Sequence, residues 1–382
     1  MIRDLRFKSL VLMAAFAIVV AACGSSDDET ETADTASEEA TTEEATSDTA
    51  ESAGETTETT EAAEAAEPAP AEGGDVSLII STASTGGTYY PVGVALSTLT
   101  NVNLANDGIQ MNAISSAGSG ENVQLLKNRE VDLAILQGLF GSMAWEGKGN
   151  YEGAPEQTMR SVTMLWENVE HFTVDSEYAT TGNISDLDNL KGQAFSIGRR
   201  GSGTETSGTV ILNALGYDVD GDFKPERVGY SESSAALQDG RIAGMNTPAG
   251  PPVSAVTQAF ATMGGDITML QFTDEQIETV NADFPVWSRF VIPAGTYPGV
   301  EEDINTISQP NFLAVHPDLD DETVYQITKN IYENLDFLVN IHQATGAMNL
   351  ERATVGLPVP LHPGAIRYYE EVGLEIPDEL RP

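Results

Sequence analysis

VSLIISTASTGGTYYPVGVALSTLTN, Val76 to Asn101, passes from an apolar run through a glycine-rich corner into a helix-like segment. The aliphatic and β-branched residues from Val76 to Ile80 suit a buried strand. Gly86 and Gly87 let backbone amides come close to a ligand. The helix expected to begin near Thr88 turns its unpaired N–H groups and the positive end of its dipole toward the same spot. Such a corner favours an anion. Ser84, Thr85 and Thr88 add hydroxyl donors, and Tyr89 and Tyr90 can wall a pocket while offering a phenolic hydrogen bond. Glycine-rich strand-to-helix corners are common in α/β proteins, so this string alone is equally a plain structural turn.

A second corner of the same design follows the strand-like run Ala194 to Ile197: GRRGSGTETSGTVILNALG, Gly198 to Gly216. Gly201 and Gly203 free the backbone, Ser202 and Thr204 supply hydroxyls, and the next helix directs its N-terminus at the loop. Two such corners, one per lobe of a two-lobed chain, can close on a small anion from opposite sides. The pair says more than either alone.

The first 74 residues belong to a different class of sequence. Arg3, Arg6 and Lys8 precede an uncharged stretch, Ser9 to Ala22, that is too short for an ordinary transmembrane helix and has the form of an export signal. Its end, Val20-Ala21-Ala22-Cys23-Gly24, resembles the lipobox of bacterial lipoproteins, in which the cysteine is lipidated and becomes the new N-terminus. Cys23 is the chain's one cysteine, so no disulfide can form within it. Residues 1–22 are thus expected to be a signal peptide, with the mature protein anchored by lipid to the outer face of the cell membrane. Ser25 to Gly74 is nearly all Ala, Glu, Thr, Ser and Asp, without an aromatic or basic residue, and cannot bury a core. Residues 23–74 are expected to form an acidic tether.

Of the 59 acidic residues, 17 lie in that segment. From Asp75 onward 41 acids face 15 bases, a net charge close to −26 within the chain's −41. That charge excludes nucleic acid as a partner. It suits solubility in a salty habitat, where self-repulsion is screened.

From Asp75 to Pro382 strand-like and helix-like runs alternate, the pattern of an α/β protein, and the length suits two lobes. Strands are expected at Val76–Ile80, Ile109–Ile114, Leu133–Leu136, Val162–Trp166, Phe172–Val174, Ala194–Ile197, Ile267–Phe272 and Phe312–His316. Val324, Ile327, Ile331, Leu335 and Leu338 trace one apolar stripe behind a cap at Asp320 or Asp321, the mark of a helix packed on the core.

STGGTYYP (Ser84–Pro91), GSGEN (Gly118–Asn122), EVDLAILQ (Glu130–Gln137), GSGTE (Gly201–Glu205), IPAGTYPG (Ile292–Gly299), LDDETVYQITKNIYENLD (Leu319–Asp336) and GLPVPLHPGAIRYY (Gly356–Tyr369) occur together and in order. Over Asp75 to Glu371 the chain resembles the TAXI family, the solute-binding proteins of TRAP transporters. The resemblance implies a two-lobed periplasmic-binding-protein fold of type II character, each lobe a mixed sheet flanked by helices, with the ligand in the cleft between them. It divides the chain into lobe 1 (75–168), lobe 2 (169–292) and a return to lobe 1 (293–382). It further implies a monomer that captures a small carboxylate of the glutamate or 2-oxoglutarate kind and delivers it to a TRAP membrane permease, with no cofactor and no metal.

Carried over by position, the ligand contacts from lobe 1 are Thr85, Gly86, Gly87, Thr88 and Tyr89, with Ser119, Asn122 and Gln137. Those from lobe 2 are Gly201, Ser202, Gly203 and Thr204, with Ala249 and Gly250 on the floor. Asn122 and Gln137 read equally as a helix cap and a surface amide. This chain departs from the family pattern at Arg199 and Arg200, where a guanidinium such as that of Arg200 either clamps a carboxylate or points to solvent. It departs again at Gly244-Met245-Asn246, where Asn246 stands ready to meet a polar part of the ligand.

Catalysis finds no foothold. His171, His316, His342 and His362 are scattered, none forms an HExxH pair or has a cysteine nearby in sequence, and Gly118-Ser119-Gly120 is only superficially like a nucleophile elbow. The expectation is a binding protein rather than an enzyme. A lipid-anchored sensor that signals its bound state to a receptor would have the same cleft chemistry.

Overall fold

The structure is a computed structural model and describes residues 76–382. The export signal, Cys23 and the acidic tether lie outside the described residues. The strands are β1 (Val76–Ser81), β2 (Ile109–Ile114), β3 (Leu133–Gln137), β4 (Arg160–Val169), β5 (Phe172–Asp175), β6 (Ala194–Ser196), β7 (Lys224–Glu226), β8 (Gly244–Asn246), β9 (Ile267–Met269), β10 (Ser288–Ile292) and β11 (Ile304–Val315). They form two mixed sheets. The first has the order β10-β11-β3-β1-β2, with β4 also paired to β11, and the second the order β7-β6-β8-β5-β9. Helices flank both sheets and a cleft runs between them, so the architecture resembles the two-lobed, type II binding-protein fold.

The sequence explains the first sheet strand by strand. All five residues of β3, LAILQ, are buried, as expected of a strand covered on both faces. At the edge, β2 alternates, with Ile109 and Met111 buried and Gln110 and Asn112 exposed. Helix α1 (Tyr89–Asn103) carries the chain from β1 to β2, which are parallel with Ile80 opposite Ala113, and α2 (Ser119–Lys127) carries it on to β3. Val92, Leu96 and Leu99 of α1 share one core with Leu78, Ile80 and Leu313. Val123 and Leu126 of α2 share another with Leu136 and Phe312 on the opposite face. Helix α3 (Gly138–Glu146) follows β3, and α4 (Gly203–Ala214) follows β6 in the second lobe.

Several elements differ from expectation, for visible reasons. β7 and β8 have no strand pattern in the sequence, and β10, not expected either, carries only the short apolar run Phe290-Val291-Ile292. Lys224-Pro225-Glu226 is a short, largely solvated edge, where proline is tolerated, and Gly244-Met245-Asn246 is central yet contains no β-branched residue. β11 begins at Ile304 rather than Phe312, because Thr306, Ser308, Gln309 and Asn311 are buried polar residues that break the apolar signature. The stripe from Val324 to Leu338 spans two helices, Asp321–Glu333 and Leu335–Ile341. They are separated at Asn334, whose amide donates to the Asn330 carbonyl at 2.8 Å. Asp320 is the cap, accepting from the Thr323 N–H at 3.0 Å.

Only Glu170 and His171 separate β4 in the first sheet from β5 in the second. Val169 and Ala249 exchange backbone hydrogen bonds at 3.0 Å beside this crossing, and the Glu170 N–H donates to the Ile307 carbonyl at 2.9 Å. β10 hydrogen-bonds to β11 in the first sheet, although it falls within the 169–292 segment. The side chains of Ile292 and Ile307 nevertheless join second-lobe cores. This hairpin therefore serves both lobes.

In the second lobe Phe195 is fully buried, with its ring centroid 6.3 Å from that of Phe172 and 5.7 Å from that of Phe223. Phe195→Ala removes those contacts and leaves a cavity, which typically costs about 3–5 kcal/mol. Urea unfolding should show a loss of that order, and a loss under about 1 kcal/mol would contradict the packing described.

Candidate functional site

The two glycine corners meet. Between the lobes lies a cavity of ≈ 30 Å³. The first corner contributes Ser84, Gly87, Thr88 and Tyr89, the head of α2 contributes Gly118 and Ser119, and β3 ends in it at Gln137. The second corner contributes Arg199, Ser202, Gly203 and Thr204. Asn168, Gly229, Tyr230, Pro248 and Ala249 complete the wall, with Ala83 and Ala117.

Backbone proximity explains the glycines. A Cβ on Gly120 would lie 2.2 Å from the Gly201 carbonyl oxygen, and one on Gly203 would lie 2.7 Å from Cδ of Gln137. Hydrogen bonds also cross from lobe to lobe. The Thr88 hydroxyl donates to the Gly250 carbonyl at 2.8 Å, the Ala255 N–H to the Gly86 carbonyl at 3.3 Å, and Arg199 Nη1 to the Ser116 carbonyl at 3.3 Å.

Four helices begin at the wall: α1, α2, α4 and Tyr230–Gln238. Their N-termini bring unpaired N–H groups and positive dipole ends to one small space. Arg199 is the one charged residue lining it, so the cavity is locally positive inside a strongly acidic chain. Several polar groups are already engaged by the fold. Ser202 caps α4, its hydroxyl accepting from the Glu205 N–H at 3.0 Å, while the Glu205 carboxylate accepts from the Gly201 N–H at 2.7 Å. The Tyr230 hydroxyl donates to the Pro248 carbonyl at 2.6 Å and meets the Thr204 hydroxyl at 2.7 Å. The Tyr89 hydroxyl donates to Oδ1 of Asn311. Burial holds both phenols far above their ordinary pKa, so they serve as neutral groups.

Of the expected site residues, Gly87, Thr88, Tyr89, Ser119, Gln137, Ser202, Gly203, Thr204 and Ala249 line the cavity. Thr85 is exposed, and Gly86 lies behind the corner, where an added Cβ would meet the Ser231 hydroxyl at 2.5 Å. Gly250 takes part through its carbonyl. Asn122 is a brace: its amide nitrogen donates to the Thr82 and Ile135 carbonyls at 2.7 and 2.9 Å, and its oxygen accepts from Ser116 at 2.7 Å. The order of the two arginines matters, for Arg199 is at the wall while Arg200 and Gly201 line a separate outer groove with Gln124 and Tyr151. Asn246 turns away and donates to Oε2 of Glu170 at 2.8 Å. Asn168 and Tyr230 carried no motif in the sequence. Asn168 sits near the end of the crossing strand, whereas Tyr230 heads a helix behind Gly229, a fourth instance of the glycine-before-helix signal after those of α1, α2 and α4.

The crossing beside the cavity is polar and buried. Glu170 and His171 are fully buried. Burial pushes the Glu170 carboxyl up from 4.5 to about 7, and burial pulls His171 down from 6.5 to about 4. His171 bridges Val169 and Tyr297, its Nδ1 2.7 Å from the Val169 carbonyl and its Nε2 2.7 Å from the Tyr297 hydroxyl. His362 caps the helix Pro363–Glu371, its Nδ1 accepting from the Gly364 N–H at 3.2 Å. Among the described residues no group of three or more His, Cys, Asp or Glu could hold a metal ion.

Two outcomes follow from this geometry. Gly120→Ala keeps the lobes from closing fully at the Gly201 carbonyl, so under conditions that close the wild type, small-angle scattering should give a larger radius of gyration for the variant, and an equal radius would contradict the contact. The Glu170 carboxyl keeps its proton to higher pH folded than unfolded. Its contribution to stability is therefore full below about pH 4.5 and is lost as pH rises to about 7. Glu170→Gln removes that loss, so the variant should gain on the order of 3 kcal/mol relative to wild type between those pH values, with His171 acting equally in both. Parallel stability profiles would contradict the shift.

The model of the NMT1-like family matches residues 80–373. Among solved structures, the chain is similar to MatC from Rhodopseudomonas palustris with bound malate, at 12% identity over 77% of this chain and 97% of that one, with a TM-score of 0.49. It is similar to PhnD1 from Prochlorococcus marinus in complex with methylphosphonate, at 14% identity over 70% and 90% of the two chains, with a TM-score of 0.44. It is also similar to the alkanesulfonate-binding protein SsuA from Xanthomonas axonopodis pv. citri bound to MOPS, at 12% identity over 78% and 92%, with a TM-score of 0.42.

Proposed function

The chain belongs to the NMT1-like family, and on that footing we propose that it is an exported solute-binding protein. It takes a small carboxylate into the cleft by lobe closure and presents it to a membrane transporter of the TRAP type, as the TAXI resemblance implies. The observation that carries this reading is the meeting of two glycine corners, from opposite lobes, round a small cavity with an arginine and no acidic residue on its wall. In the open protein both corners face water. A carboxylate held by one recruits the other, and closure excludes water from between the helix N-termini, where their partial charges act at full strength. The ligand stabilises the closed form only by contacts it makes with both lobes. Long-range repulsion from the acidic surface opposes an anionic ligand, and the local N–H donors and Arg199 must outweigh it.

The moving bodies are residues 75–168 with 293–382 on one side and 169–292 on the other, hinged near Val169 and Ala249. The ligand leaves chemically unchanged. Cys23 carries the lipid that keeps the protein at the membrane, and residues 23–74 give it reach.

Thermal unfolding of the ligand-stripped chain tests the reading. A small carboxylate at 100 times its Kd should add about 2.7 kcal/mol of stability. Stabilisation by neutral sugars alone, or by no carboxylate in a panel of amino acids, oxo acids and dicarboxylates, would overturn it. Cys23→Ser should move the protein from the membrane fraction to the soluble fraction without altering ligand affinity. Retention on membranes would refute the anchor.

A further inference from the structure

The inner wall of the cavity carries polar groups that the fold does not use. Gln137 and Asn168 line it at 3% and 0% exposure. Neither the amide oxygen nor the amide nitrogen of Asn168 has a hydrogen-bond partner in the protein, and Oε1 of Gln137 has none either. Gln137 stands against the start of α4, since an added Cβ on Gly203 would meet its Oε1 at 2.8 Å. Buried polar groups in a native protein are normally paired. A ligand that pairs these groups therefore removes a penalty as well as making bonds.

The unused groups are those of two primary amides, whose oxygens need donors and whose NH₂ groups, on Asn168 and on Gln137, need acceptors. Each class of ligand end can be tried against them. A carboxylate offers acceptors alone, so it can pair the NH₂ groups but leaves both amide oxygens without a donor and beside an anion. An ammonium offers donors alone, leaves Asn168 Nδ2 facing a cation, and finds no acidic residue on the wall to balance its charge. Glu170 does not serve, because it lies off the wall with its Oε2 taken by Asn246. A primary carboxamide matches the set, its NH₂ reaching both oxygens and its carbonyl accepting from Asn168. It stays complementary if the Gln137 amide turns over, because it offers both roles. The opposite end of the ligand meets Arg199 and the N–H groups of the corners.

We propose that the ligand is a small monoamide acid, a carboxylate at the corner end and an uncharged carboxamide against Asn168 and Gln137. This rests on the carboxylate reading given above. The test is titration calorimetry on the full, ligand-stripped chain with two series of matched span: succinamate, succinate and 4-aminobutyrate, and glutaramate, glutarate and 5-aminopentanoate. In at least one series the amide should bind tenfold or more tighter than the diacid and the amino acid. Equal or tighter binding of a diacid or an amino acid in both series would overturn the amide end while leaving the carboxylate reading intact. No binding by any of the six would overturn both. Asn168→Asp places a carboxylate at the inner wall and should invert the preference, with 4-aminobutyrate or 5-aminopentanoate above its amide counterpart. If that variant does not fold, Gln137→Glu carries the same expectation. An unchanged ranking in the folded variant would overturn the assignment.

Discussion

The site depends on one steric constraint: at two points the lobes approach each other so closely that not even a Cβ fits between them. Gly120 faces the Gly201 carbonyl, and Gly203 faces the Gln137 amide. Because those positions lack a Cβ, helix N-termini from both lobes can converge on one small cavity. Larger residues there would hold the cleft open and leave the N–H groups in water, where their partial charges are worth little. The glycines thus set both the reach of the lobes and the size of what lies between them.

The crossing between the lobes has an opposite character. Glu170, His171, Asn246 and Thr306 are fully buried and bonded chiefly to one another and to backbone, with the Thr306 hydroxyl donating to the Glu170 carbonyl at 2.8 Å. Buried polar networks are costly unless satisfied. This one is satisfied only in part, since Oε1 of Glu170 and Oδ1 of Asn246 have no hydrogen-bond partner in the protein, while the directional bonds that are made favour one arrangement. Here they fix the point at which β4 passes into β5 and against which the β10–β11 hairpin lies. An acid held near neutrality at this crossing makes its stability sensitive to pH in the window where Glu170 titrates.

Much of this was legible from the chain alone, in proportion to how locally each feature is encoded. The two corners carry their own signal, glycine followed by a helix start, and both head helices as expected, α1 from Tyr89 and α4 from Gly203. β1, β2 and β3 are legible as apolar runs. β8 and the first half of β11 are not, because they bury Asn246, Thr306, Gln309 and Asn311 in partnerships made across the fold. The same reason hides Asn168, whose place on the wall follows from the crossing rather than from neighbours in sequence. Side-chain direction is also decided beyond the local string. Asn122 and Asn246 have the chemistry of ligand contacts, yet their bonds go to Thr82 and Glu170, and of two adjacent arginines only the first reaches the cavity.

The central claim is that ligand draws the two lobes together. The most direct measurement is the distance between nitroxide labels at Glu130→Cys in one lobe and Asp239→Cys in the other, in a Cys23→Ser background, by pulsed electron resonance with and without a stabilising carboxylate. The account predicts a broad, longer distribution in the free protein that narrows and shortens on saturation. A distribution unchanged by a ligand that demonstrably binds would contradict it.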